Sequence, residues 1–111
     1  MNKSHAKPGT ARALKKLRRK IDRADRRLLG ALGARFRTVR EIGRIKIAQG
    51  LPLLQKARWS EVMAERLKIA RRLGLREELV EGIYLLIHRE ALEAQQALAA
   101  KQGKKKKKRK S

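Results

Sequence analysis

Arg35 and Lys46 stand where apolar residues belong. Leu14, Leu17, Ile21, Ala24, Leu28, Leu32, Val39 and Ile42 recur at three- and four-residue steps, tracing a single seam along a helix. Continuing that seam puts Arg35 between Leu32 and Val39, and Lys46 four residues beyond Ile42. Eleven residues separate the two cations, about three helical turns, so both project from nearly the same face. Burying an unpaired charge costs several kcal/mol. No acid on the seam offsets it, because Asp22, Asp25 and Glu41 lie off the seam or at its far end. One such cation reads as a long side chain snorkelling to water. Two aligned cations read as a site for an anion, and a ligand carboxylate is the expected counter-charge.

Further along, Gln95 follows Ala91 by four residues and Ile87 by eight, so an amide continues a buried stripe and wants a partner on another helix or a ligand. Arg58, before Val62, carries no signal of its own. Trp59 beside it reads first as core. His88, one residue past Ile87 and without a paired acid, reads as a packing or interface residue.

The elements that must position these side chains are helical. The first helix exceeds thirty residues and ends at Gln49-Gly50-Leu51-Pro52, where glycine suits a left-handed C-cap and proline prevents resumption. A second helix over Lys56–Leu73 carries Trp59, Val62, Met63, Leu67, Ile69 and Ala70, and stops at Gly74-Leu75. A third, from Arg76 to Ala100, carries Leu79, Val80, Ile83, Tyr84, Ile87, Ala91, Ala94 and Leu98. It opens without a Ser, Thr, Asp or Asn cap, although Glu77 and Glu78 suit the helix dipole. A first helix roughly 50 Å long outreaches what two shorter helices can cover. The expected fold is therefore all-α, with three helices, one long and two shorter, forming an intertwined helical homodimer.

Composition limits the alternatives. The chain has 111 residues and no cysteine, so disulfides, thiolate metal sites and a cysteine nucleophile are excluded. Its two histidines, His5 and His88, form no metal cluster in the sequence. The N-terminal residues lack the apolar stretch of a signal peptide, and no run suffices to span a bilayer, so a soluble, cytoplasmic protein without membrane contact is expected. The net charge of +22, from 32 bases against 10 acids, suggests a polyanion partner. Residues 1–13 form a basic extension and 101–111 a lysine-rich tail, both expected to be disordered, around a domain at 14–100. The tail residues Lys104, Lys105, Lys106, Lys107, Lys108, Arg109 and Lys110 would adhere to nucleic acid without sequence preference, since no aromatics interleave them.

Residues 14–96 resemble the all-helical class of chorismate mutase. The resemblance lies in Leu17-Arg18-Arg19-Lys20-Ile21-Asp22 through Leu29 on the first helix, then Ala34-Arg35-Phe36 followed by Val39, Gly43 and Lys46. It continues through the Gly50-Leu51-Pro52 turn, Arg58, the Leu73-Gly74-Leu75 turn and Ala94-Gln95-Gln96. Each motif is short, but their order and spacing together are specific.

The resemblance implies a Claisen rearrangement of chorismate to prephenate, on the route to phenylalanine and tyrosine, in sites shared across a homodimer and without metal or organic cofactor. By position, Lys46 and Gln95 correspond to the pair directed at the ether oxygen of the breaking bond. Arg35 would engage substrate carboxylate, with Arg18 reaching in from the partner protomer and Arg58 lining the same site. Gln55, Trp59 and Ala91 stand where well-known members have an acid, a glutamate and a serine. The segment Leu53–Trp59 resembles a variant branch of the family. Isochorismate pyruvate lyase and aminodeoxychorismate mutase share this pocket, and a non-enzymatic basic helical protein that binds nucleic acid is the reading from another class.

Overall fold

The computed structural model describes the backbone of residues 7–110 and side chains through residue 103. It contains three helices, α1 (Thr10–Ala48), α2 (Lys56–Arg72) and α3 (Glu77–Lys110), with no strand among the described residues. The expected all-α order of one long helix and two others is what forms, but the helix ends differ from the expectation at both termini.

Residues 10–13, assigned to a disordered extension, are helical. A Pro8-Gly9 turn starts the helix, Gly9 adopting φ 90° and offering its carbonyl to the Ala13 N–H at 3.0 Å. Thr10–Ala13 carry no apolar seam, yet alanine and arginine propagate a helix readily once it has begun. At the other end α3 continues through Lys110, where a disordered tail was expected from 101. Lysine is a good helix former, Gly103 is the one weak link, and cations at a C-terminus complement the helix dipole. Residues 1–6 and Ser111 lie outside the described residues, as do the side chains from 104 onward and with them the expected polyanion contact.

Both interhelical turns close in the same way. After α1, Gly50 takes φ 67°, its N–H donating to the Ile47 carbonyl at 3.3 Å while the Leu51 N–H donates to the Lys46 carbonyl at 2.8 Å. After α2, Gly74 takes φ 70°, with Gly74 N–H to Arg71 carbonyl at 3.3 Å and Leu75 N–H to Ala70 carbonyl at 2.9 Å. These paired bonds satisfy carbonyls that the last helical turn leaves without partners, a Schellman closure that needs a left-handed residue.

The backbone divides into two units, with the boundary between Arg35 and Phe36. In the first, every residue from Ala11 to Ala31 is exposed, including the seam residues Leu14 (42%), Leu17 (53%), Ile21 (60%) and Leu28 (58%). The second unit holds the core, built from Val39 of α1, Val62 and Ala70 of α2, and Val80 of α3. Trp59 of α2 and His88 of α3 stack, ring centroids 4.0 Å apart and planes 24° from parallel. Much of the predicted stripe of α3 remains open, Leu79 and Ile83 being 47% and 44% exposed. No described helix is long and apolar enough to cross a membrane.

The turns and the helix interiors should respond oppositely to the same substitution. Gly74→Ala forces a side chain into the left-handed region and should lower stability by about 1 kcal/mol. Gly82 is helical, and no neighbouring atom lies within 4 Å of where a Cβ would sit, so Gly82→Ala should gain about 0.5–1 kcal/mol. Thermal denaturation of the two variants reads the contrast, and equal signs would contradict it.

Candidate active site

Lys46 occupies the last turn of α1. The Schellman closure after it reverses the chain, and the following loop carries the Leu53 carbonyl to 2.7 Å from the Lys46 ammonium, which donates to it. The ammonium also donates to Gln95 Oε1 of α3, a longer contact of 3.4 Å. The turn predicted from Gly50 therefore does more than end a helix. It folds the backbone over the very cation that precedes it.

Gln95 is the one buried polar side chain among the described residues, 5% exposed. Its Nε2 donates to the Val39 carbonyl of α1 at 2.8 Å while its Oε1 accepts from Lys46. In a helix the carbonyl of residue 39 points toward residue 43, so a side chain at 43 would cover it. Gly43 is buried, and a Cβ there would lie 2.8 Å from Gln95 Cγ. The absent side chain at 43 is what allows α3 to bring an amide onto the backbone of α1. A glycine inside a helix costs about 1 kcal/mol relative to alanine, and here that loss is exchanged for a buried hydrogen bond.

The electrostatics of Lys46 follow from this packing. Burial lowers its pKa from the ordinary 10.5, because desolvation disfavours the charged form. None of the ion pairs among the described residues involves Lys46, and its two acceptors are neutral carbonyl oxygens. An ammonium has three N–H donors and a primary amide two. With two taken from Lys46 and one from Gln95, each group retains an N–H to offer an oxygen that carries negative charge. Such a pair stabilises charge without accepting a proton or forming a covalent bond.

The other predicted residues are placed as follows. Arg58 is exposed on α2 and paired with Glu61 at 2.8 Å, so a ligand must draw it from that ion pair. Gln55 is exposed at the N-cap of α2, its side chain making no capping bond, while its carbonyl accepts from the Trp59 N–H at 3.1 Å. Trp59 is half-buried in its stack on His88. Ala91 is half-buried one turn before Gln95. Arg18, exposed, and Arg35, half-buried, belong to the first unit.

The structure thus joins Lys46 to Gln95 and adds three residues that sequence reasoning did not assign: Gly43, and Val39 and Leu53 through their carbonyls. Gly43 had a readable signal, a helix-weakening residue four positions after Val39 on a buried seam. The carbonyls had none, because every residue has one. Among the described residues no group of three or more His, Cys, Asp or Glu side chains is arranged to hold a metal ion.

An all-helical frame brings a half-buried lysine and a buried amide together, and their remaining N–H donors suit an anionic oxygen. The family described as chorismate mutase type II matches residues 17–96, and the chain belongs to that family. Among curated relatives, a T-protein of Enterobacter agglomerans is 36% identical over 75 residues, covering 68% of this chain and 20% of the relative. A T-protein of Haemophilus influenzae is 32% identical over 79 residues, covering 71% of this chain and 21% of the relative. The chain spans about a fifth of the length of these relatives.

Gly43→Ala tests the close approach. Unlike Gly82→Ala it should destabilise, by about 1–3 kcal/mol, because the added methyl overpacks against Gln95. A thermal midpoint raised by the substitution would show that the contact at 43 is not limiting.

Proposed function

We propose that the chain catalyses the Claisen rearrangement of chorismate to prephenate, supplying the aromatic amino acid route. The observation that carries the proposal is Lys46, a partly desolvated cation held by neutral carbonyls beside a buried glutamine. The reaction is unimolecular and needs no nucleophile, proton carrier or cofactor. It needs the dianion held in a compact chair-like conformer and positive charge where the ether oxygen becomes negative. Lys46 and Gln95 supply the second requirement with the N–H donors left to them.

Conformational restriction falls to the arginines. By family position Arg35 grips carboxylate, Arg58 lines the same site, and Arg18 of the partner subunit reaches into it. Gln55, Trp59 and Ala91 replace family residues, two of them near the ring hydroxyl in this reading, and Gln55 and Trp59 mark a variant branch of the family. The exposed α1 seam of Leu14, Leu17, Ile21 and Leu28 supports a homodimer, since burying one such leucine or isoleucine contributes about 1.5–3 kcal/mol. We take the enzyme to be cytoplasmic. Its lysine-rich tail, Lys104 to Lys110, makes non-specific polyanion contacts and raises the local concentration of dianionic substrate.

Two measurements test this reading. Lys46→Ala should keep its helicity and assembly while kcat falls at least about 100-fold, the loss typical of removing one charge-stabilising donor. In the native enzyme kcat/KM should fall as pH rises through the lowered Lys46 pKa, giving an alkaline limb below 10.5. The bound dianion favours the ammonium, so the limb in kcat should lie at higher pH. Full activity in Lys46→Ala, or a kcat/KM flat through pH 10.5, would remove Lys46 from the site.

The shared site has its own test. Arg18→Ala and Lys46→Ala, each inactive alone, should on mixing and subunit exchange form heterodimers with one intact site. Random exchange restores about one quarter of native turnover. No recovery after demonstrated exchange would place all of the site within one protomer.

A further inference from the structure

The first unit carries a second feature that the rearrangement does not use. Arg12, Lys16, Arg19, Arg23 and Arg26 follow one another along α1 by alternating steps of four and three residues, so they form a single ridge about 21 Å long. It runs along the side opposite the seam of Leu14, Leu17, Ile21 and Leu28. Lys15 lies on one shoulder of the ridge and Lys20 and Arg27 on the other, fanning the charge over more than a third of the helix circumference. All eight residues are exposed.

Three arginines of α2 carry ion pairs, and no cation of the ridge does. Arg58, Arg66 and Arg71 are matched by Glu61, Glu65 and Glu77. Among the described residues no ion pair reaches any ridge cation: Asp25 lies toward the seam, and Asp22, on the flank beside Lys15 and one turn from Arg19 and Arg26, pairs with none of them. Holding like charges at three- and four-residue spacing destabilises a helix by a few tenths of a kcal/mol per pair. That repulsion is relieved by an equally long array of negative charge.

We infer that this ridge of α1 docks on double-stranded DNA, contacting its phosphate backbone without sequence preference. A compact anion meets two or three such side chains, whereas five in line over about 21 Å require a linear polyanion. Four of the five are arginines, whose forked donors match phosphate oxygens. The B-form major groove is about 12 Å wide, the width of a helix, and the long side chains of the ridge and its shoulders splay from a helix laid along it to the phosphates on both walls. The corresponding groove of duplex RNA is too narrow. A flat anionic bilayer would require apolar side chains beneath the cations, and this face has none. It also lacks aromatics to stack on single-stranded bases, and Asn or Gln to read base edges.

Five phosphate contacts give a slope of about −4.5 in log K against log salt, separable from the tail by substitution. The probes are a fluorescent DNA duplex of about 30 base pairs, an RNA duplex of the same sequence, and phosphatidylserine vesicles, each titrated with the full chain from low to moderate salt. Replacing the five ridge residues with glutamine should flatten the DNA slope by about 4.5 and weaken low-salt binding at least about 100-fold. Helicity and chorismate turnover should be kept. Replacing the lysines of residues 104–110 instead should leave a slope of about −4.5. An unchanged slope in the ridge variant, equal affinity for the RNA duplex, or stronger binding to vesicles than to DNA would each overturn the proposal.

Discussion

The site depends on one close approach, that of α3 to the backbone of α1 at Gly43. A helix normally hides its carbonyls behind the side chain four residues on. Removing that side chain opens the Val39 carbonyl to Gln95 Nε2, which fixes the amide with its oxygen toward Lys46. Lys46 is held in turn by the Leu53 carbonyl, delivered by the turn that Gly50 permits. Two glycines with different duties, one for space and one for a left-handed backbone, therefore set the position of the cation. None of the atoms they organise is charged except the ammonium itself, so its neutral partners leave the positive charge uncompensated.

The same economy governs stability. Four small apolar side chains and one glutamine form the buried core of the second unit, modest for a chain of this length. Fold and site are consequently not separable. The hydrogen bond that orients Gln95 also ties α3 to α1, and the stack of Trp59 on His88 ties α2 to α3 beside the arginine proposed for substrate. The exposed seam of the first unit is the reserve of apolar surface from which a second copy would draw the remaining stabilisation.

Legibility in the sequence followed periodicity. The seam of α1 made Lys46 conspicuous because the residues around it obey a helical repeat that it breaks, and Gln95 stood out on α3 for the same reason. The turns were legible because Gly50 and Gly74 each precede a leucine at the end of a periodic run. What escaped was of two kinds. Backbone acceptors such as Val39 and Leu53 have no signature in residue type. The ends of α1 and α3 escaped because charge and missing periodicity were read as disorder, although a helix once formed extends through alanine, arginine and lysine without an apolar face. The pairing of Arg58 with Glu61 and the stack of Trp59 on His88 depend on side-chain choices that spacing does not determine.

The proposed rearrangement rests on family membership and on a cation placed by neutral groups. The most direct measurement is a proton NMR time course of chorismate with the purified chain, corrected for the spontaneous reaction. Prephenate is the expected sole product, at a rate proportional to protein concentration. Chorismate that disappears no faster than it does without protein, or the appearance of pyruvate in place of prephenate, would contradict a rearrangement at Lys46 and Gln95.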